Sequence, residues 1–76
     1  MIMDVKMAKK KADRILKKAN LSIIEMFISP NYIMAVFDMD DDDGYIIFDK
    51  NNGKFVNELY LDIDETFEKV DRDEWC

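Results

Sequence analysis

An acidic run near the middle of the chain is the feature that most invites a chemical role. Asp38, Asp40, Asp41, Asp42, Asp43 and Gly44 fall within seven residues. A calcium loop of the EF-hand type needs oxygen ligands at positions 1, 3, 5 and 12 with glycine at position 6. With Gly44 at position 6, Met39 and Lys50 stand at ligand positions 1 and 12. The run therefore predicts no metal centre of this kind, and leaves a solvated hairpin turn, a weak divalent site or an acidic docking patch.

Nucleophiles are present without the groups that would activate them. The chain has no histidine and a single cysteine, Cys76, and histidine is the usual general base at neutral pH. Ser22, Ser29 and Thr66 carry hydroxyls with no evident base near them in the sequence. One thiol without histidine also cannot form an internal disulfide or complete a zinc site. We therefore predict a protein that is not an enzyme, with no catalytic residues and no cofactor.

Charge is divided unevenly along the chain. Of the 17 acidic and 11 basic side chains, which give a net charge of −6, seven basic and two acidic ones lie in the first twenty residues. A second acidic block occupies positions 62–74 and includes Asp64, Glu65 and Glu68. The net negative charge argues against direct nucleic-acid binding and favours attraction to a basic protein. The lysine-rich N-terminal segment is an exception to this net negative charge. Its basic face could contact phosphate, an anionic membrane surface or an acidic partner, or it could be simply the solvated face of a helix.

An α+β pattern of elements positions these residues. Apolar residues spaced by three and four predict a helix over residues 4–19, with Asp4 as its N-cap and Asn20 at its end. Runs rich in β-branched and aromatic residues predict four strands, at 21–29, 32–39, 45–49 and 54–61, joined into an antiparallel meander. Asp62 and Glu65 have capping-box spacing and predict a C-terminal helix over 62–73. Residues 1–76 are thus predicted to form a single α-β-β-β-β-α domain.

The second and third predicted strands are apolar over most of their length. Residues 32–37 and 45–48 lack the alternation expected of a sheet with one wet face, so both faces need cover. If both helices pack on one face, the other face exposes an apolar patch that includes Phe27 and Phe37. Exposed apolar patches of this kind mark interfaces. If the helices lie on opposite faces, everything is buried. The patch predicts contact with a protein partner or with a second copy of the chain.

In its overall profile the chain resembles small bacteriophage and mobile-element inhibitors of host defence, of the anti-CRISPR and anti-restriction type. Short length, acidity, the α+β pattern and the acidic runs at 40–43 and 62–74 carry the resemblance. It implies stoichiometric inhibition, by occupying a basic nucleic-acid site or an assembly surface. The hairpin at residues 45–56 also looks like the closing hairpin of PepSY-type domains, which are mostly secreted modules linked to inhibition and regulation.

The leading prediction is a non-enzymatic, protein-binding inhibitor of a basic, nucleic-acid-handling host protein. Acidic and aromatic side chains are expected to make the contact: Asp40, Asp41, Asp42, Asp43, Asp64, Glu65, Glu68, Phe27 and Phe37. The alternative is a structural or regulatory homodimer with no foreign target. The lone cysteine, and the lack of a signal-peptide pattern or a long apolar stretch, predict a cytoplasmic protein that contacts no membrane.

Overall fold

The computed structural model describes residues 2–57 and 60–76. The elements follow in the order α1 (Val5–Lys17), β1 (Ile23–Ile28), β2 (Tyr32–Asp38), β3 (Asp43–Asp49), β4 (Phe55–Val56), a 3₁₀ turn (Tyr60–Asp62), β5 (Glu68–Lys69) and α2 (Arg72–Trp75). An N-terminal helix, an antiparallel sheet and a short closing helix confirm the predicted α+β class.

Helix α1 is bounded by the two capping residues that the sequence predicts. The side chain of Asp4 accepts a hydrogen bond from Met7 N at 2.8 Å, which satisfies one of the free amides of the first turn. At the other end Asn20 adopts a left-handed φ of 59°, and Leu21 N donates to Leu16 O at 3.0 Å. This left-handed residue reverses the chain and directs it into β1.

The five strands form one antiparallel sheet in the order β4-β3-β2-β1-β5. Consecutive pairing of β1 to β4 confirms the predicted meander, although β4 spans only Phe55–Val56; residues 58 and 59 of the predicted strand lie outside the described residues. The turn after β2 is tight, because Met39 N donates to Asp42 O at 2.9 Å and Asp42 N to Met39 O at 3.3 Å. Strand β5 is an addition that the sequence does not predict, and it pairs with the outer edge of β1.

The predicted C-terminal helix over residues 62–73 is wrong except at its end. Helix α2 has four residues, Arg72–Trp75, and the preceding chain is irregular apart from the 3₁₀ turn and β5. Ile63 and Phe67 pack on one face of the sheet, whereas Val70 joins the core on the other. A helix would place these three side chains on one stripe. The segment is extended instead, because it crosses the sheet edge and delivers apolar side chains to both faces.

The two faces of the sheet are covered differently. On one, the helix face, α1 and α2 pack in the same core as Ile33 and Phe48, and the fully buried Ala8 lets α1 approach closely. On the other, the strap face, residues 61–67 form a strap whose Ile63 packs against Met34 and Ile47. The apolar runs in β2 and β3 are therefore covered on both sides, by helices on one and by an extended segment on the other.

Candidate protein-binding groove

A groove of about 870 Å³ lies on the strap face. Its floor is apolar and aromatic, formed by Phe27 of β1, Met34 and Val36 of β2, and Tyr45 of β3. The strand register explains the grouping, since Phe27 pairs with Met34, and Val36 with Tyr45. Directly paired residues point to the same face of a sheet, so four side chains from three strands form one continuous surface.

The strap forms one wall of the groove. Leu61, at the centre of the 3₁₀ turn, and Ile63 and Phe67, in the irregular chain that follows it, all line the groove. Ile63 is 9% exposed, whereas Leu61 is 76% exposed. The wall is thus anchored in the core at Ile63 and presents apolar surface to solvent at Leu61.

Carboxylates border the apolar floor. Glu25, Asp42 and Asp43 line the groove together with the residues of the floor. Glu25 lies 3.4 Å from Lys69 Nζ in an ion pair whose side chains are 38% and 65% exposed, so the attraction is worth only about 0 to 1 kcal/mol. Asp42 Oδ1 accepts a hydrogen bond from Asp43 N at 2.8 Å. We call Glu25, Asp42 and Asp43 the acidic rim.

Regular alternation along β1 places Glu25 on the same face as Phe27, and a β-bulge turns Ile23 to the opposite face. Ile23 pairs with Phe37 and Glu25 with Val36, so the register shifts by one residue at Ile24. Without this shift, Ile23 and Glu25 would point to the same face, because side chains alternate along a strand. Ile23 instead joins the helix-face core, and Glu25 lines the groove. Glu25 is not among the predicted site residues, although its position two residues before Phe27 places both side chains on one face of a regular strand.

The predicted acidic turn lies at one end of the groove. Asp40 and Asp41 form its exposed tip, between the hydrogen-bonded pair Met39 and Asp42. Asp42 and Asp43 then belong to the acidic rim. The acidic turn therefore lies directly beside an apolar surface, and a docking patch would be located at this groove.

The structure does not bring Phe27 and Phe37 together. Phe27 is half-buried in the groove floor, whereas Phe37 packs against the helix-face core. The Phe37 ring covers Gly44, its cross-strand partner, where an added Cβ would lie 2.5 Å from Phe37 Cε2. The expectation that the two rings form one exposed patch is wrong, because they point to opposite faces of the sheet. Tyr45, rather than Phe37, is the second aromatic side chain of the groove floor, where it pairs with Val36.

The second acidic block divides into solvated and structural carboxylates. Asp64 is exposed on the strap, and Glu68 is exposed in β5, opposite Ile28. Glu65 points inward and accepts three hydrogen bonds: from Ser29 Oγ at 2.8 Å, from Asn31 N at 2.9 Å and from Asn31 Nδ2 at 2.8 Å. Both Glu65 oxygens are thus engaged, and the carboxylate fastens the strap to the turn between β1 and β2.

These hydrogen bonds favour the ionised form of Glu65. The side-chain bond from Asn31 is the largest cause of a pKa below the ordinary value of glutamate. Desolvation opposes it, and the bonds from Ser29 and the Asn31 amide, with the positive charge of Lys50, add to the lowering of the pKa. This stabilising contribution is complete above the pKa of glutamate in the unfolded chain, and is lost as the pH falls through the lower folded-state pKa.

We expect Glu65→Gln to lower the free energy of unfolding at neutral pH, because an amide cannot accept all three hydrogen bonds. The difference from the natural chain should shrink in the acid range, where the natural Glu65 is protonated as well. Urea unfolding followed by circular dichroism at both pH values measures this. Asp64→Asn removes the same charge from the same strap and should leave the unfolding midpoint nearly unchanged. Equal losses in the two variants would contradict an anchoring role for Glu65.

The basic side of the molecule lies on the other side of the sheet. Lys6, Lys10 and Lys17 are exposed on α1, which packs on the helix face. Lys11 donates to Gly53 O at 2.6 Å and lies 5.5 Å from the centre of the Phe48 ring. The sheet therefore separates a basic helix surface from the acidic rim.

Two other kinds of site are not found in the part of the chain that the structure describes. Within residues 2–57 and 60–76, no group of three or more histidine, cysteine, aspartate or glutamate residues is placed to hold a metal ion. No helix in those ranges is long and apolar enough to cross a membrane. Comparison with protein-family models, curated proteins and solved structures gives no match. The groove is therefore interpreted from its own geometry.

Proposed function

We propose that this protein is a non-enzymatic, protein-binding inhibitor that docks its strap face on a basic, nucleic-acid-handling protein. The observation that carries the proposal is the acidic rim beside an aromatic floor in one groove. The floor supplies apolar contact area, and the rim attracts and orients a basic partner. The resemblance to small anti-defence inhibitors, which act by occupancy, supports the same proposal.

The open shape of the groove favours a macromolecular partner over a small ligand. It is open along the exposed Leu61 and is bordered by charge, whereas small-molecule sites enclose most of their ligand. A standard protein interface buries about 800 Å² on each side. An interface of that size would take about a seventh of the 5478 Å² of accessible surface of this chain.

Charge argues against a symmetric homodimer through the strap face. A two-fold interface brings the same patch of both copies together, so the acidic rim of one copy would face the acidic rim of the other. Like charges brought together in this way repel and cost stability. A basic foreign partner is attracted by the same residues, and the homodimer is therefore not the function that we propose.

Affinity capture from the native host, with mass spectrometry, tests the proposed function. The immobilised chain should retain a basic protein at low salt, and a variant with Asn at positions 40–43 should retain much less of it. Added stoichiometrically, the free chain should then block nucleic-acid binding by the purified partner. Cys76→Ser in every sample removes artificial disulfides, since the Cys76 thiol is exposed.

The outcomes separate the two candidate functions. Retention of a basic protein that depends on the acidic residues, with loss of nucleic-acid binding by that protein, supports the inhibitor. Retention that is equal for both variants, or a partner whose nucleic-acid binding is unaffected, contradicts it. A stable homodimer of the Cys76→Ser chain in light scattering, with no foreign protein retained, would establish the alternative.

A further inference from the structure

The carboxylates near the groove differ in how far they are already engaged. Glu65 has both oxygens occupied by Ser29 and Asn31. In the acidic rim, Asp42 uses one oxygen for Asp43 N, and Glu25 forms a long, exposed ion pair with Lys69. The rim therefore retains accepting oxygens at the groove, whereas the Glu65 carboxylate is used by the fold.

The strand register adds an unfavourable contact that a cation would relieve. Asp43 of the acidic rim pairs directly with Asp38 across β2 and β3, and both residues are exposed. Like charges placed directly opposite each other in a sheet are destabilising. A positive group bound at this end of the groove would replace that repulsion with attraction.

Apolar and aromatic surface lies next to these carboxylates. Val36 and Tyr45 form the row of the floor that includes Glu25, and Phe27 and Met34 form the next row. A long cationic side chain can lay its methylene groups over such a floor and place its charge at the rim. Arginine suits this arrangement better than lysine, because a planar guanidinium stacks on aromatic rings and pairs with a carboxylate through two hydrogen bonds.

We propose that the occupant of the groove is an arginine-bearing, apolar segment of the partner protein. An arginine lies across Val36 and Tyr45 with its guanidinium at the acidic rim. A neighbouring apolar side chain contacts Phe27 and the exposed Leu61 of the strap. This inference rests on the proposed function for the existence of a protein partner, and it adds the chemistry that the partner must present.

Short synthetic peptides test this chemistry without the natural partner. The probes are a capped peptide of alternating arginine and leucine, the same peptide with lysine for arginine, and the same peptide with alanine for leucine. Each is titrated into the labelled protein at low salt, and amide chemical shifts give the site and the dissociation constant. The arginine-leucine peptide should shift the amides of Glu25, Val36 and Tyr45, and should bind about threefold to tenfold more tightly than either control peptide.

Variants identify the contribution of the acidic rim. Glu25→Gln, Asp42→Asn and Asp43→Asn together keep the side-chain shapes and should weaken binding of the arginine-leucine peptide about tenfold or more. Asp71→Asn, Asp73→Asn and Glu74→Gln remove the same charge around α2 and should change it less than twofold. Thermal unfolding of both variants verifies that they are folded.

Equal affinity for the arginine and lysine peptides, shifts confined to other surfaces, or no binding of any peptide would each overturn the arginine assignment. Those results leave the proposed function to its own test, because capture of a basic host protein through positions 40–43 does not require arginine selectivity. Conversely, arginine-selective binding in the groove would stand even if the captured partner proved not to handle nucleic acid.

Discussion

Replacing the four aspartates at positions 40–43 with Asn is expected to slow association with the basic partner severalfold or more at low ionic strength, while leaving the fold intact. Asp40 and Asp41 are exposed at the tip of a two-residue turn, and Asp42 and Asp43 continue it into the groove. Asn occupies such turns as readily as Asp does. Asn at position 42 also keeps an oxygen to accept the bond from Asp43 N.

Loss of four clustered like charges should raise stability slightly. Asp38 and Asp43 oppose each other in the sheet, and the substitution at 43 removes that repulsion. Urea unfolding is expected to show a free energy equal to that of the natural chain or higher by about 0.5 kcal/mol. A large loss of stability would mean that the turn depends on its charges, and binding results for the variant would then have to be interpreted through folding.

Salt dependence distinguishes steering from direct contact. If the turn steers the partner, the rate difference should shrink as salt approaches about 0.5 M, where the Debye length falls to about 4 Å. If its carboxylates are buried against the partner, the loss should appear in the dissociation rate and persist in salt, at about 2 kcal/mol or more for each pair broken. Surface plasmon resonance with the captured partner measures both rates.

The matched control for this variant carries the same charge change on the opposite side. Asp13, Asp71, Asp73 and Glu74 lie on or beside α1 and α2, and their amide counterparts reduce the net negative charge by the same amount as the turn variant does. If this control slows association as much as the turn variant does, net charge alone sets the association rate and the acidic turn has no specific role in it.

Trp75→Ala is expected to destabilise the protein by about 3 to 5 kcal/mol. Trp75 is 5% exposed and belongs to the helix-face core, although it is the penultimate residue of the chain. A domain of this size has a total stability of about 4 to 11 kcal/mol. Truncation of this one ring should therefore bring the chain close to unfolding. Urea unfolding followed by circular dichroism measures the loss, since the variant has no tryptophan for fluorescence.

Trp75→Phe is the matched comparison. The indole Nε1 is buried and has no hydrogen-bond partner within the described residues, and such a donor costs about 1 to 3 kcal/mol. In the natural chain the Arg72 guanidinium lies over the indole, 5.4 Å from the centre of its ring. Phenylalanine removes the buried donor and keeps an aromatic ring at this position. The loss of packing is partly offset, and we expect a change below about 1.5 kcal/mol. A Trp75→Ala cost below about 1 kcal/mol would show that α2 contributes little to the core.

Trp75 also bears on the groove. The strap runs from the 3₁₀ turn to β5, and α2 follows β5 directly. Glu65 fastens the strap near its middle, and Val70 and Trp75 fasten the chain beyond it in the helix-face core. Glu65→Gln and Trp75→Ala, which weaken these anchors, are therefore both expected to disturb the groove wall and to lower overall stability.

Local spacing was sufficient to predict α1, its N-cap and the first three strands, although β3 begins at Asp43 rather than at the predicted residue 45. Ala8, Ala12 and Leu16 are spaced as one helical stripe and are the buried residues of α1. The turns at residues 39–42 and 50–53 carry their own residue chemistry, aspartate-rich in one and asparagine-glycine in the other. Each of these features depends on residues close in sequence, so the local sequence pattern is enough to predict it.

Long-range packing set the rest, because two spacings competed in the C-terminal segment. Ile63, Phe67 and Val70 fit a helical stripe, whereas Leu61, Ile63, Glu65 and Phe67 fit an extended chain. The uncovered apolar face of β2 and β3 favoured the extended form, and Ser29 and Asn31 provided the hydrogen bonds that hold it. Likewise, the register of β1 on β2 decides that Glu25 and Phe27 share a face with Val36 and Met34, from which Phe37 points away. The groove exists only once strands distant in sequence are paired, which is why its residues could not be grouped from spacing alone.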